Sequence, residues 1–340
     1  MSDDTNTNAR NHHGFARRAM LRGAAVGAAL PLLPTAVGGA TAATARPRSA
    51  DSAPDPDSAS LRWLGTAGWR IDIGNRTVLF DPYLTRFSTG LFEAAFDPAT
   101  KIKKTDAGLV REYAGSPELI LVSHSHWDHI ADVPYIAKAT GARVVGTETT
   151  FHLLVAFGVD PLQISVVKGG EVLDFGGGLT VEVVASLHSR NKKHAYFAPG
   201  TRTAPPTTAP ETISDLPEGD TLAFQVSAGA GGPALFLMGA SDFSERAADG
   251  LRPDVAMVAV PSSSATHRYA PRLLRALGNP PVVVPVHWDN FETPLREPVV
   301  PDPTMDLTGL IDQVRRESPA SRVVVPDYRT VYGGDLRPRR

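Results

Sequence analysis

The stretch LILVSHSHWDH, residues 119–129, constrains this chain more than any other. LILVS reads as a buried strand, and the seven positions from its serine onward, 123–129, hold three of the chain's ten histidines together with an aspartate. Side chains two apart in extended backbone face the same way, so His124 and His126 can address one point. Asp128 and His129, at the turn into the next helix, can address a neighbouring point. Imidazole and carboxylate suit zinc and similar divalent ions, and strand ends are where open α/β sheets commonly place their sites. One loop can therefore offer two ligands to each of two ions, but it closes neither site. The fold must bring further ligands to the same place.

Later strand ends carry candidates. His188 closes the run LTVEVVASLH, Asp242 follows ALFLMG in GASDF, and His287 follows PVVVPV in VHWDN. Singly, each has a plainer reading: a histidine at a strand end is often an ordinary hydrogen-bonded residue, and Asp242 can cap a helix in SERAAD. The chain has no cysteine, which removes disulfides, thiolate ligands and cysteine nucleophiles together. Any metal is left to His, Asp and Glu. Two close divalent ions can share a water, lower its pKa toward neutrality and polarise the bond under attack. The expected chemistry is hydrolysis of an ester, lactone, amide or phosphodiester by that hydroxide, with Asp128 as a proton acceptor beside it.

The remaining chain reads as a scaffold for such a rim. LRWL, WRIDI and TVLF (61–80) predict an antiparallel meander. Strand and helix patterns then alternate: LILVS, a helix from about Ile130 to Ala139, ARVVG, a helix near 149–157, QISVV, EVLDF and LTVEVVAS. The second half continues with TLAFQVS, ALFLMG, DVAMVAV, a helix near 267–277, PVVVPV, a helix near 306–317 and RVVVPD. These predict one α/β domain over 61–340, with mixed sheets packed between helical layers. Residues 190–219 interrupt it as an irregular insert; they lack periodicity and contain the low-complexity stretch TAPPTTAP, the mark of a functional or disordered loop.

Residues 46–60, rich in Pro, Ser and Asp, read as a linker. Ahead of them, Arg17-Arg18 in RRAMLR resembles a twin-arginine export motif, followed by a small and apolar run and the cleavage pattern Ala43-Thr44-Ala45. Residues 1–45 are therefore expected to be a signal peptide, handled by the twin-arginine machinery and removed near Ala45. The mature protein would be periplasmic or extracellular, with no stable membrane span. A net charge of -2 offers no basic footprint for nucleic acid or anionic lipid, so the expected partner is a small-molecule substrate.

The order H-x-H-x-D-H, then separate His, Asp and His at strand ends, resembles the metallo-β-lactamase fold over nearly all of residues 61–335. The opening WLGTAGWRIDIGNRTVLFDPYL is similar to the branch that contains ascorbate-6-phosphate lactonase-like proteins and N-acylphosphatidylethanolamine phospholipase D. The resemblance implies a four-layer αβ/βα sandwich with two metals, zinc or else manganese or iron, in a cleft at one edge. It implies that His124, His126 and His188 hold one metal, that Asp128, His129 and His287 hold the second, and that Asp242 bridges them. One departure stands out: where the family usually has Gly-Asp, this chain reads Gly239-Ala240-Ser241-Asp242. An iron redox enzyme or a binding protein on the same fold are the alternatives.

Four further residues are candidates with two readings each. Asp81, in FDPYL, is either a carboxylate behind a ligand histidine or a turn-forming Asp-Pro. His267, before a helix, either meets substrate or caps and faces solvent. His194, with Arg190, Lys192 and Lys193, either binds an anionic substrate group or belongs to a solvated basic loop. Trp288, like Trp127 and Phe291, either lines the pocket or packs the core.

Overall fold

The computed structural model describes residues 55, 57–229 and 231–339. The expected signal segment 1–45 and most of the linker 46–60 lie outside the described residues. Two mixed sheets face each other, each made of an antiparallel half continued by a parallel half.

In the first sheet, β1 (Ser60–Gly65), β2 (Gly68–Ile73) and β3 (Arg76–Phe80) form the predicted meander. To β3 are added, in parallel, β4 (Leu119–Leu121), β5 (Arg143–Gly146) and β6 (Ile164–Val166). The second sheet has an antiparallel half of β7 (Val172–Asp174), β8 (Leu179–Leu187), β9 (Thr221–Ala228) and β10 (Ala234–Met238), with the two-residue β11 (Asp242–Phe243) on the edge of β8. Its parallel half is β12 (Val255–Ala259), β13 (Val282–Val286) and β14 (Arg322–Val323). The chain then returns to the first sheet, where β15 (Val331–Gly333) pairs antiparallel with β1.

The strand composition explains these positions. LIL in β4, ALFLM in β10, VAMVA in β12 and VVVPV in β13 are buried along their whole length, as strands covered on both faces must be. In β2 the pattern alternates: Trp69 and Ile71 are buried, while Arg70 and Asp72 pair on the other face at 3.0 Å.

Helices flank the sheets. The single turn α1 (Ala107–Leu109) is capped by Asp106, whose carboxylate accepts from the Gly108 and Leu109 N–H groups. It is followed along the chain by α2 (Trp127–Ile130), α3 (Val133–Thr140) and α4 (Glu148–Ala156), the last packed on β6. The second half contributes α5 (Glu245–Ala248), α6 (Tyr269–Ala276) and α7 (Leu307–Glu317), with α7 on β13 and β14 and against α6. In α6 the buried residues Tyr269, Ala270, Leu273 and Leu274 recur at helical spacing. Among the described residues, no helix is long and apolar enough to cross a membrane.

Two expectations needed correction. The helix predicted from Ile130 is two pieces, α2 and α3, because Pro134 has no N–H with which to continue a helix across the junction. Asp132 occupies that junction, and its buried carboxylate accepts from the Leu84 and Thr85 N–H groups, both at 2.7 Å. RVVVPD contributes only Arg322–Val323 to the sheet.

Near the start of the domain, the β1–β2 turn is fastened to the segment after β13. Trp63 stacks on Trp288 at 5.3 Å and packs on Tyr328 at 5.0 Å. Beneath them the Arg86 and Asp289 side chains, 1% and 0% exposed, pair at 3.2 Å. Asp289 also accepts from the Thr66 N–H at 3.0 Å and from the Tyr328 hydroxyl. Removing one partner of such a pair leaves a buried charge uncompensated. Asp289→Ala is expected to lower the unfolding free energy by about 3–5 kcal/mol, read from the urea midpoint; an unchanged midpoint contradicts this account.

Candidate metal centre

The residues after β4 leave the sheet and are held from both sides. Ser123 accepts at its carbonyl from the Leu222 N–H at 2.8 Å, which ties the loop to the start of β9 in the other sheet. The Ser125 N–H donates to the Glu218 carbonyl at 2.9 Å, and the Ser125 hydroxyl meets that of Thr150 at 2.9 Å. With the loop fixed, its side chains are delivered to two adjoining points.

At one point, His124, His126 and His188 each offer a ligand nitrogen, all within 4.8 Å of one another. At the other, Asp128, His129 and His287 do the same with a carboxylate oxygen and two nitrogens. The groups touch, since the His124 and His129 rings lie 3.9 Å apart. Hydrogen bonds to the outer ring nitrogens decide which atoms face inward. His124 Nδ1 donates to the Ser123 hydroxyl oxygen at 2.9 Å, the hydroxyl proton itself going to Asp81, and the buried His124 Nε2 has no partner. His188 Nδ1 donates to the Ser189 carbonyl at 2.8 Å, and His126 Nε2 faces the Ala198 carbonyl at 3.5 Å. His129 Nδ1 donates to Asp81 Oδ2 at 2.8 Å, which leaves His129 Nε2 3.5 Å from Asp128 Oδ2. His287 Nε2 lies 3.1 Å from the same oxygen.

Asp81 stands behind both groups. Its buried carboxylate accepts from the Ser123 N–H at 2.7 Å, from the Ser123 hydroxyl at 2.5 Å and from His129. The side chain thus orients His129 directly and His124 through Ser123, the arrangement by which a carboxylate fixes the tautomer of a metal-binding imidazole. Ser123 was not singled out from the sequence, although its place beside the cluster was the available signal.

Four candidates fall elsewhere. Asp242 belongs to neither group: it pairs with Leu187 at the start of β11, and its Oδ1 accepts from the Phe243 N–H at 2.9 Å. From the end of β10 it is Gly239 that lines the cleft. A Cβ at Gly239 would run into the Ser123 hydroxyl and lie 2.9 Å from Asp81 Oδ2, so that space is already filled. The expected carboxylate bridge from Asp242 is corrected accordingly. His194 and His267 are exposed, outside the cleft, with their carbonyls accepting from Arg190 and Arg272. Trp288 is packing: it is buried on Trp63 and donates to the Pro285 carbonyl at 3.1 Å. The insert does reach the cleft, through Asn191, Ala195, Tyr196 and Phe197, with Tyr196 stacked on the His188 ring at 4.5 Å.

Burial sets the charge state of the unliganded groups. It holds His124 well below the ordinary imidazole range, with the neighbouring imidazoles adding to it, and pushes His126 down to about 4 and His188 to about 3. Burial also opposes charge on His129, yet Asp128 and Asp81 outweigh it and hold that imidazole's pKa above its usual value. For Asp128, burial favours the neutral acid, but His129 and His287 win and keep it ionised well below the usual carboxylate range. Neutral imidazoles at His124, His126 and His188, an ionised Asp128 and an unpartnered buried nitrogen on His124 make a donor set that fits divalent ions.

A family model described as "Beta-lactamase superfamily domain" matches residues 60–287, a span that includes both ligand groups. The chain belongs to the beta-lactamase superfamily. A UPF0173 metal-dependent hydrolase of Pyrobaculum islandicum is 27% identical over 132 residues, 39% of this chain and 52% of the relative. Another, from Rhizobium leguminosarum bv. trifolii, is 32% identical over 129 residues, 38% of this chain and 47% of the relative. The matches thus span about half the length of these curated relatives. Among solved structures, the metallo hydrolase Igni18 of Ignicoccus hospitalis aligns with a TM-score of 0.51 at 17% identity, covering 78% of this chain and 94% of that one. An isothiocyanate hydrolase from Delia radicum gut bacteria gives 0.50 at 14%, covering 80% and 98%. At these identities the structures show the shared metallo-β-lactamase fold.

For this member of the superfamily, Asp81→Asn keeps the shape behind His129 but removes the charge. It is expected to weaken zinc binding by about 10- to 100-fold in competition with a chromophoric chelator; unchanged affinity contradicts the role of Asp81. A second expectation concerns the chelated protein. Between roughly pH 6.5 and about 4, the unfolded chain binds protons at His124, His126 and His188 that the folded chain does not. Stability therefore falls as pH falls through that window, and His129, whose pKa is raised, offsets only part of this. The urea midpoint with chelator present should be lower at about pH 5 than at about pH 7.5; equal midpoints count against it.

Proposed function

We propose that the protein is a metal-dependent hydrolase that works with two divalent ions, one held by His124, His126 and His188 and the other by Asp128, His129 and His287. The convergence of these six side chains from three separate segments, the 124–129 loop, the end of β8 and the end of β13, on adjoining points carries the reading. The names of the relatives that match part of the chain support it. Bound ions of this kind supply Lewis acidity and an acidified water. The chain's own residues do the rest.

Among the described residues, Asp128 is the only carboxylate lining the cleft, and it is held ionised. A group that must accept a proton beside the reacting bond is therefore Asp128. Asp81 keeps the His129 proton on Nδ1, away from the cleft, and Ser123 does the corresponding work at His124 Nδ1. The cleft of about 250 Å³ falls just below the ~300–1,000 Å³ of pockets for drug-sized ligands, which favours a small substrate. Zinc suits the nitrogen-rich donor set, and iron or manganese are compatible with it. Export through the twin-arginine machinery is part of the same proposal and rests on the RRAMLR motif.

Metal analysis of the purified protein is expected to give about two ions per chain, falling toward one in His188→Ala and in His287→Ala. Chelation should abolish turnover across a panel of esters, lactones and phosphodiesters, and added zinc should restore it. Turnover that survives complete metal removal would end the proposal.

A further inference from the structure

The walls of the cleft differ from its floor. Around the ligand side chains runs a band of aromatic rings that belongs to neither metal group. Phe92 meets Phe291 edge-on at 4.9 Å, Phe291 lies 6.3 Å from Trp127, Trp127 meets Phe197 at 5.3 Å, and Phe197 meets Phe96 at 5.2 Å. Two inner members of the band touch the two groups: Phe291 is 5.2 Å from the His287 ring and Phe197 is 5.7 Å from that of His126. Leu91, 40% exposed, lines the same cleft, as does Met305.

Cationic side chains are missing from this lining among the described residues. Arg190 lies over the outer Tyr196 ring at 4.9 Å, and Lys192 lines a neighbouring recess. Neither reaches the cleft wall. A permanent anion placed along the wall would lose water and gain no charged partner, whereas an apolar chain would gain burial against rings.

We propose, on the basis of the hydrolase reading above, that the substrate is an uncharged carboxylic ester or lactone with an apolar arm. The arm lies along Phe291, Trp127 and Phe197, which line the cleft and are backed by Phe92 and Phe96, while the carbonyl group meets the two ligand triads. The reaction balances as hydrolysis: the acyl C–O bond breaks, a new C–O bond to water oxygen forms, one water proton passes by way of Asp128 to the leaving alcohol, the other is released to solvent, and a carboxylate remains.

Two series with the same nitrophenol leaving group test this on the zinc-loaded full-length protein: nitrophenyl esters from acetyl to octanoyl, and bis-nitrophenyl phosphate. The kcat/KM should rise by about tenfold or more from acetyl to hexanoyl, since each methylene against an apolar wall adds transition-state binding, and the phosphodiester should be the poorer substrate. Phe197→Ala and, at the exposed rim, Leu91→Asn should each shrink the hexanoyl-to-acetyl ratio, with metal content measured alongside. A flat chain-length profile, or faster cleavage of the phosphodiester than of every ester, overturns the assignment of substrate and leaves the hydrolase reading standing. Zinc-loaded protein that turns over neither series nor any lactone overturns both.

Discussion

The buried carboxylate of Asp81 is the constraint on which the site depends. β3 delivers it to the sheet edge, and there it takes the N–H and hydroxyl of Ser123 and the Nδ1 proton of His129. One side chain thereby sets the position of the loop and the tautomer of a ligand in each group. The cost is visible in the backbone: Asp81 has φ 40°, a conformation that strains a residue with a Cβ by about 1–3 kcal/mol. Aspartate tolerates it better than most residues, and charge-assisted hydrogen bonds offset it. Gly68 belongs to the same device, because a Cβ there would lie 2.8 Å from the Asp81 carbonyl.

The opposite rim uses the same physics. His287 has φ 61° and is fixed by its N–H, which donates to the Thr66 carbonyl at 2.7 Å. Thr66, at φ 50°, is itself fixed by its N–H to Asp289 and by the Trp63 indole on its carbonyl at 3.1 Å. The Arg86–Asp289 pair, far from being an isolated core feature, therefore reaches the second ligand group through two hydrogen bonds. Strain persists at such places only when the surroundings over-determine it, and here the surroundings come from both sheets.

How much of this was legible in the sequence depended on the range of the signal. The cluster at 124–129 is local, so residue spacing alone placed its side chains in two directions, and the long apolar runs marked β4, β8 and β13 that deliver the rest. Asp242 was misplaced because distance from a strand end matters residue by residue. Gly239 is at the cleft, while three residues on the chain has turned to pair with the edge of β8. His194, His267 and Trp288 were ambiguous because residue type does not say which way a loop side chain turns. The stacking of Trp288 on Trp63 depends on a partner at the other end of the domain. The aromatic wall was hidden for a related reason: Phe197, and Phe96 packed behind it, come from irregular segments without periodicity, although the pair YF in an otherwise polar insert was a usable hint.

The missing bridge has a chemical consequence. Asp81 and Ser123 fill the space beside Gly239, and Asp81 reaches the histidines from behind, not from between the two groups. Two divalent ions held by the proposed ligands would face a single carboxylate across the cleft, that of Asp128. Such a site, when loaded, would carry excess positive charge, and in a partly enclosed setting that charge would be balanced by an anion drawn from solvent or made in place. A neutral ester fits this balance: it enters along an apolar wall without bringing charge, and the carboxylate it yields is formed where positive charge is least compensated. The same excess that favours the developing anion also holds the product, so on the proposed reading release of the carboxylate competes with chemistry as the slow step.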